Sequence, residues 1–147
     1  MKILASDLSE FECSTPILTL DCFDTIFWRR VKTPHDIFYL LQEHPLYKQY
    51  GFSASDRGGF ESQARLTQKA LNNSTEVRLE DIYRHGLQLR GVVDKDGAIV
   101  QRLVALEIAI EIEHGVLFKP LCALIERAQR KGCKVVVVSD TYSVWRS

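Results

Sequence analysis

The sequence has no excess charge of either sign: 19 Lys and Arg are balanced by 19 Asp and Glu, a formal net charge of +0 with His neutral. That balance offers nothing to draw the chain to nucleic acid or to an anionic membrane surface. No basic tract offsets it, because Arg29-Arg30 and Arg130-Lys131 are isolated pairs. Long apolar runs are also missing, and none approaches the ~18 residues that a membrane span requires. Met1-Lys2-Ile3-Leu4-Ala5 meets polar Ser6-Asp7 too soon for the apolar region of a signal peptide, so a cytoplasmic location is expected. Cysteine is sparse. Cys13, Cys22, Cys122 and Cys133 show no C-x-x-C spacing and no adjacent histidine, which argues against a zinc site or a disulfide scaffold and for reduced thiols in or near a core. His35, His44, His85 and His114 stand singly, without ligand spacing, and read as structural or surface residues. Internal repeats and low-complexity segments are lacking as well.

What is present is an ordinary globular composition, 46% hydrophobic and 26% charged, in a chain of 147 residues, enough for one domain with a real core. The most informative stretch is Ile17-Leu18-Thr19-Leu20-Asp21-Cys22-Phe23-Asp24-Thr25. Its apolar start reads as a buried strand with Asp21 at the carboxyl end, the edge where open α/β sheets bind ligands. A second run, Val135-Val136-Val137-Val138, ends likewise on Ser139-Asp140 and suits a parallel strand covered on both faces. Two such strands deliver a carboxylate and a hydroxyl to one edge of one sheet, the outline of a phosphoryl-transfer site.

Between the strands the periodicity is helical. Thr33-Pro34 predicts a helix start, with Thr33 as N-cap, Pro34 at the first helical position, and Ile37, Leu40 and Leu41 as the apolar stripe. A second helix is expected from about Ser55 to Leu71, with Phe60, Ala64 and Leu71 inward, although Gly58-Gly59 each cost ~1 kcal/mol relative to alanine there. Leu79, Ile82, Tyr83 and Leu87 mark a third. A fourth, from about Gly97 to His114, carries Ile99, Leu103, Leu106 and Ile110, widened by Val104, Ile108 and Ile112, and should be the most buried. Pro120 opens a last helix with Leu121, Leu124, Ile125 and Ala128 inward and Gly132 at its left-handed cap. A crossover between parallel strands needs only one helix. The surplus, residues 32–115, therefore reads as a helical insertion after the first strand, or alternatively as an extension of one core.

Leu18-Thr19-Leu20-Asp21-Cys22-Phe23-Asp24-Thr25-Ile26-Phe27-Trp28-Arg29 resembles the first motif of the haloacid dehalogenase (HAD)-like hydrolase superfamily, in the form Asp-x-Phe-Asp-Thr with an arginine soon after. Val135-Val136-Val137-Val138-Ser139-Asp140-Thr141-Tyr142 resembles the second, a strand ending in Ser or Thr. The intervening segment resembles the helical cap of such enzymes, and Arg57, Glu61, Ile82-Tyr83 and Glu111 fall where this subgroup carries similar residues. The resemblance implies an α/β fold: a partial Rossmann-like core of parallel strands from residues 1–31 and 116–147, with an inserted α-helical cap over 32–115.

It also implies the chemistry. Asp21 would be the nucleophile of a phosphohydrolase acting on a small phosphorylated metabolite through an aspartyl-phosphate intermediate, since a carboxylate is already ionised at neutral pH. Thr25 would steady Asp21, Ser139 would donate to a phosphate oxygen, and backbone N–H groups of Cys22, Phe23 and Asp24 would cradle phosphate. Magnesium would take a carboxylate oxygen of Asp21 and the backbone carbonyl of Phe23. Arg29 either reaches a substrate anion or forms a solvated pair with Arg30. Asp24 and Asp140 read equally as phosphate-side residues or as turn formers, and Ser139 also as a helix cap.

Two departures from the family pattern leave other readings open. Phe23 occupies the position where phosphatases of the family carry a second aspartate as general acid and base, help that is typically worth ~10²–10⁴ in rate. The printed chain also runs only eight residues past Ser139. The family's later lysine and acidic residues have no counterpart, Lys119, Lys131 and Lys134 lying in the wrong places. The expectation is a truncated member, or one that completes its sheet across a homodimer. The alternatives are a catalytically impaired remnant acting as a binding or assembly module, and a 2-haloacid dehalogenase.

Overall fold

The structure, a computed structural model, describes residues 5–10 and 14–139. In chain order these form α1 (Ala5–Glu10), β1 (Ile17–Asp21), β2 (Phe27–Arg29), α2 (Asp36–Glu43), α3 (Pro45–Gln49), α4 (Ala54–Asn72), α5 (Leu79–Leu89), α6 (Ala98–Glu113), β3 (Gly115–Leu117), α7 (Lys119–Arg130) and β4 (Lys134–Val138). The architecture is mixed α/β with a small parallel sheet. Two compact units divide the chain, one made from residues up to Arg30 together with those from Gly115 onward, the other from Val31–His114. No helix among the described residues is long and apolar enough to cross a membrane.

In the first unit β1 and β4 pair in parallel, with Ile17 opposite Lys134 and Asp21 opposite Val138. α7 supplies the crossover into β4. Its Leu121, Leu124 and Ala128 are buried, and Gly132, at φ 81°, makes the left-handed turn into the strand, a conformation that costs a residue with a Cβ more than it costs glycine. α1 packs on α7, and α7 on β4. One helix cannot cover two faces. The expectation that the valine run is sheltered on both sides is therefore corrected: Val137 and Val138 are 52% and 55% exposed, as is Ile17 at 53%. A second, antiparallel pair joins β2 to β3, with Phe27 opposite Leu117 and Arg29 opposite Gly115. Gly115 is required there, because a Cβ would fall 1.8 Å from the Phe27 ring.

The second unit is helical and holds the largest core, with Ile37, Leu41, Tyr47, Ile82, Tyr83 and Leu103 fully buried. α2 packs on α4 and α6, α4 on α5, and α5 on α6. Each helix start has a local cause. Ser53 and Asp56 form a reciprocal capping box at α4, and the Ala54 N–H donates to Gln42 Oε1 at 3.0 Å. The Asp94 carboxylate accepts from Ile99 N at 3.2 Å and Val100 N at 2.9 Å, collecting the first N–H groups of α6.

Three sequence expectations shift here. Thr33 does not cap α2 through its side chain. Instead the Asp36 carboxylate accepts from Thr33 N at 2.8 Å, and Thr33-Pro34-His35 form a turn ahead of a helix that begins at Asp36. Leu71 is 74% exposed rather than inward, because the last turns of α4 run beyond the core. α3 is additional to the expected set: His44 caps it, Nδ1 accepting from Leu46 N at 3.1 Å, with Pro45 in its first turn.

Candidate functional site

The candidate site is built by the turn that follows β1. At Cys22 the strand stops pairing, and the chain folds back on itself: the Cys22 carbonyl accepts from both Ile26 N and Phe27 N at 2.9 Å. The Asp24 N–H donates to the Phe27 carbonyl at 2.8 Å. Asp24 lies in the left-handed region at φ 55°, one of the few non-glycine residues to do so and of a type that tolerates it. This turn brings Thr25 back over the strand end, where its hydroxyl donates to Asp21 Oδ2 at 3.3 Å. The carboxylate itself is exposed.

Parallel register places the second candidate beside the first. Val138 is the partner of Asp21, so Ser139, exposed and next in the chain, leaves β4 at the same end of the sheet. Asp140 lies outside the described residues.

The turn also arranges groups of a different kind. The Phe23 ring meets the Phe27 ring edge-on at 5.6 Å. The Arg29 guanidinium lies over the Phe23 ring, 4.2 Å from its centroid, a favourable cation–π contact. Trp28 donates its indole N–H to the Thr25 carbonyl at 3.0 Å and its ring packs on Phe118 at 5.4 Å, while Phe118 N donates to the Ile26 carbonyl at 2.8 Å. Both sides of the turn are thus tied to the β2–β3 pair. Burial, then the Asp21 carboxylate, push the Cys22 thiol above its ordinary value, and Arg29 pulls it the other way. The thiol therefore senses both charges, which puts Asp21 and Arg29 on either side of it. Cys22 and Cys122 are half-buried and Cys133 buried, all as free thiols.

The structure brings together Asp21, Cys22, Phe23, Asp24, Thr25 and Arg29 within one turn and its flanking strands, and sets Ser139 at the same strand end. The β2–β3 pairing and the contribution of Phe118 are not readable from the sequence, because three-residue strands carry no usable periodicity and their partners are far apart in the chain. Among the described residues no three His, Cys, Asp or Glu side chains converge as a metal site. A magnesium ion would find one carboxylate, on Asp21, and a backbone carbonyl, which suits an ion that completes its octahedron with water and substrate phosphate.

A separate polar cluster lies in the helical unit. Arg57 and Glu107 are buried at 0% and 2% exposure, and the Tyr83 hydroxyl donates to Glu107 Oε2 and shares a hydrogen with the Tyr47 hydroxyl at 2.6 Å. Arg57 and Tyr83 belong to the positions singled out in the sequence. Glu107 and Tyr47 do not, although Glu107 sits between Leu103 and Ile110 on the apolar stripe of α6, a charge where periodicity calls for a hydrophobe.

Comparison of the sequence with known protein families and with curated proteins gives no match.

Proposed function

We propose that the protein is a haloacid dehalogenase-like hydrolase that removes the phosphoryl group of a small phosphorylated metabolite through an aspartyl-phosphate on Asp21. The observation that carries this reading is the Thr25–Asp21 hydrogen bond of 3.3 Å at the carboxyl end of β1, with Ser139 leaving β4 beside it in parallel register. A nucleophilic carboxylate needs one oxygen held and the other presented. The Thr25 hydroxyl holds Oδ2, and Oδ1 is then the attacking atom.

In the reaction, Asp21 attacks phosphorus in line with the leaving oxygen, whose bond to phosphorus breaks. Backbone N–H groups of the Cys22–Asp24 turn and the Ser139 hydroxyl would take the phosphoryl oxygens as charge builds on them. Water then attacks the acyl phosphate, releasing phosphate and restoring the carboxylate. Magnesium, bound through Asp21 and the Phe23 carbonyl, would neutralise phosphoryl charge.

The test is hydrolysis of 4-nitrophenyl phosphate with and without magnesium, beside Asp21→Asn and Thr25→Val. Magnesium-dependent turnover that Asp21→Asn abolishes and Thr25→Val lowers about tenfold or more, with folding unchanged, agrees with the reading. Halide release from a 2-haloacid without magnesium would point instead to the dehalogenase branch.

A second reading, an impaired remnant that serves as a binding or assembly module, draws on the half-exposed Ile17, Val137 and Val138 of a sheet with two strands among the described residues. Unpaired edges of this kind favour association. A folded protein without turnover whose solution mass is that of a dimer would favour it.

A further inference from the structure

The turn beside Asp21 carries an aromatic ring and a fixed cation where a leaving group must depart. Phe23 has no proton to give. Its ring is held edge-on by Phe27 and bears the Arg29 guanidinium at 4.2 Å. Both ends of this stack are anchored in backbone structure: Phe23 is bridged to Phe27, and Arg29 is paired in β2 opposite Gly115. A guanidinium stays protonated at every accessible pH, so it offers charge and paired donors but no transferable proton. The remaining proton-bearing groups of the turn are poorly suited to acid catalysis. The Thr25 hydroxyl is committed to Asp21, and burial holds the Cys22 thiol protonated above its ordinary range. A departing oxygen meets positive charge here, and no acid.

We infer that the substrate is a phosphoryl anhydride, in which phosphorus is joined through oxygen to a carboxylate or to a second phosphate, and that Arg29, stacked on Phe23, binds the leaving group. The inference rests on the phosphohydrolase reading above. The Asp21 oxygen forms a bond to phosphorus as the bond from phosphorus to the bridging oxygen breaks. The electron pair stays on that oxygen, which departs as a carboxylate or phosphate anion without taking up a proton. Either anion matches the planar fork of a guanidinium through two parallel N–H···O bonds. Water then attacks the acyl phosphate, and its protons pass to phosphate and solvent as the Asp21 carboxylate is restored. Alkyl phosphates, whose alkoxide must be protonated to leave, are excluded by the same arrangement.

The experiment compares kcat/KM of the full chain with magnesium on acetyl phosphate, inorganic pyrophosphate, phenyl phosphate and glycerol 3-phosphate. Asp21→Asn, Asp24→Asn, Arg29→Gln and Arg29→Lys are run beside it, each checked for folding by circular dichroism. We expect one anhydride to exceed phenyl phosphate by about 10²-fold or more, the scale of the acid catalysis that Phe23 cannot supply; which anhydride it is identifies the leaving anion. Arg29→Gln should lower that anhydride about tenfold or more through kcat, Arg29→Lys should restore part of the loss, and Asp24→Asn should change little.

Comparable turnover of glycerol 3-phosphate, abolished by Asp21→Asn, would overturn the anhydride assignment while leaving the phosphohydrolase standing. A large loss on Asp24→Asn would reveal a proton donor and overturn it equally. An Arg29→Gln effect confined to KM and equal on every substrate would place the guanidinium on the phosphoryl group instead. Turnover of none of the four by a folded protein would remove both the phosphohydrolase and the inference built on it. The substrate comparison on the unaltered chain decides the class even if a variant fails to fold.

Discussion

Arg57 and Glu107, 50 positions apart, meet in the helical unit through two hydrogen bonds of 2.8 Å, Nε to Oε2 and Nη2 to Oε1. Both side chains are withdrawn from solvent. Arg57 also reaches Glu61 at 3.2 Å and lies over the rings of Phe38 and Tyr83 at 4.8 and 5.6 Å. No buried side-chain nitrogen or oxygen among the described residues lacks a partner, so the pair is compensated as buried charge must be. It ties α4 to α6 with a register that apolar contacts alone would not impose.

Removing one partner should therefore be worse than removing both. Glu107→Leu leaves a buried guanidinium facing hydrocarbon and should cost about 3–5 kcal/mol. Arg57→Met with Glu107→Leu should recover a large part of that loss. Urea unfolding of the two single variants and the double variant measures the difference, and additive losses would contradict the coupling.

Tyr83 should make the fold sensitive to alkali. Burial first, then the charge of Glu107, holds its phenol well above the ordinary tyrosine value. The native state then keeps the proton while the unfolded chain releases it above about pH 10. Stability is whole below that pH and falls as pH rises beyond it. Tyr83→Phe should flatten the alkaline fall in midpoint, and should cost about 1–3 kcal/mol at neutral pH by leaving Glu107 and Tyr47 short of a partner.

At the other end of the scale, Asp56 acts through the α4 cap. Desolvation opposes its ionised form, but the Ser53 hydroxyl and N–H, with Arg90, outweigh it and hold the carboxyl below its usual range. The stabilisation is present above about pH 4 and is lost as pH falls through the depressed native value. Ser53→Ala should cost about 1 kcal/mol at neutral pH, and should weaken the acid dependence of the thermal midpoint.

Glycines in two helices should respond oppositely to alanine. Gly58 and Gly59 lie inside α4 with nothing within 4 Å of a built Cβ, so Gly58→Ala and Gly59→Ala should each stabilise by about 0.5–1 kcal/mol. Gly86 in α5 lies against Phe60, and a Cβ would come within 2.5 Å of that ring. Gly86→Ala should destabilise by about 1–3 kcal/mol through overpacking. Denaturant midpoints of the three variants decide it.

Local signals carried much of the fold. Apolar runs closed by polar residues marked β1 and β4, and helical periodicity marked α4, α5, α6 and α7 to within a residue or two of the observed ends. Where the signal was short, it failed. β2 and β3 are three residues each and acquire meaning only when they pair, and α3 depends on the ring nitrogen of His44 serving as a cap. The valine run of β4 was legible as a strand but not in its exposure, which depends on how many neighbours it finds.

The same division runs through the candidate site. Asp21 at a strand end followed by a turn-forming Asp24-Thr25 is written in the order of residues, because a backbone that must stop pairing needs those side chains within a few positions. Sequence alone also determined which helical faces are apolar, since that follows from a spacing of three and four. Only the tertiary structure decided that Thr25 returns to Asp21, that Val138 pairs with Asp21 and so sets Ser139 beside it, that Arg29 stacks on Phe23, and that Glu107 on an apolar stripe answers Arg57. Each of these joins groups whose positions are set by turns, register and packing, and free energy from such contacts exists only once the chain has closed on itself.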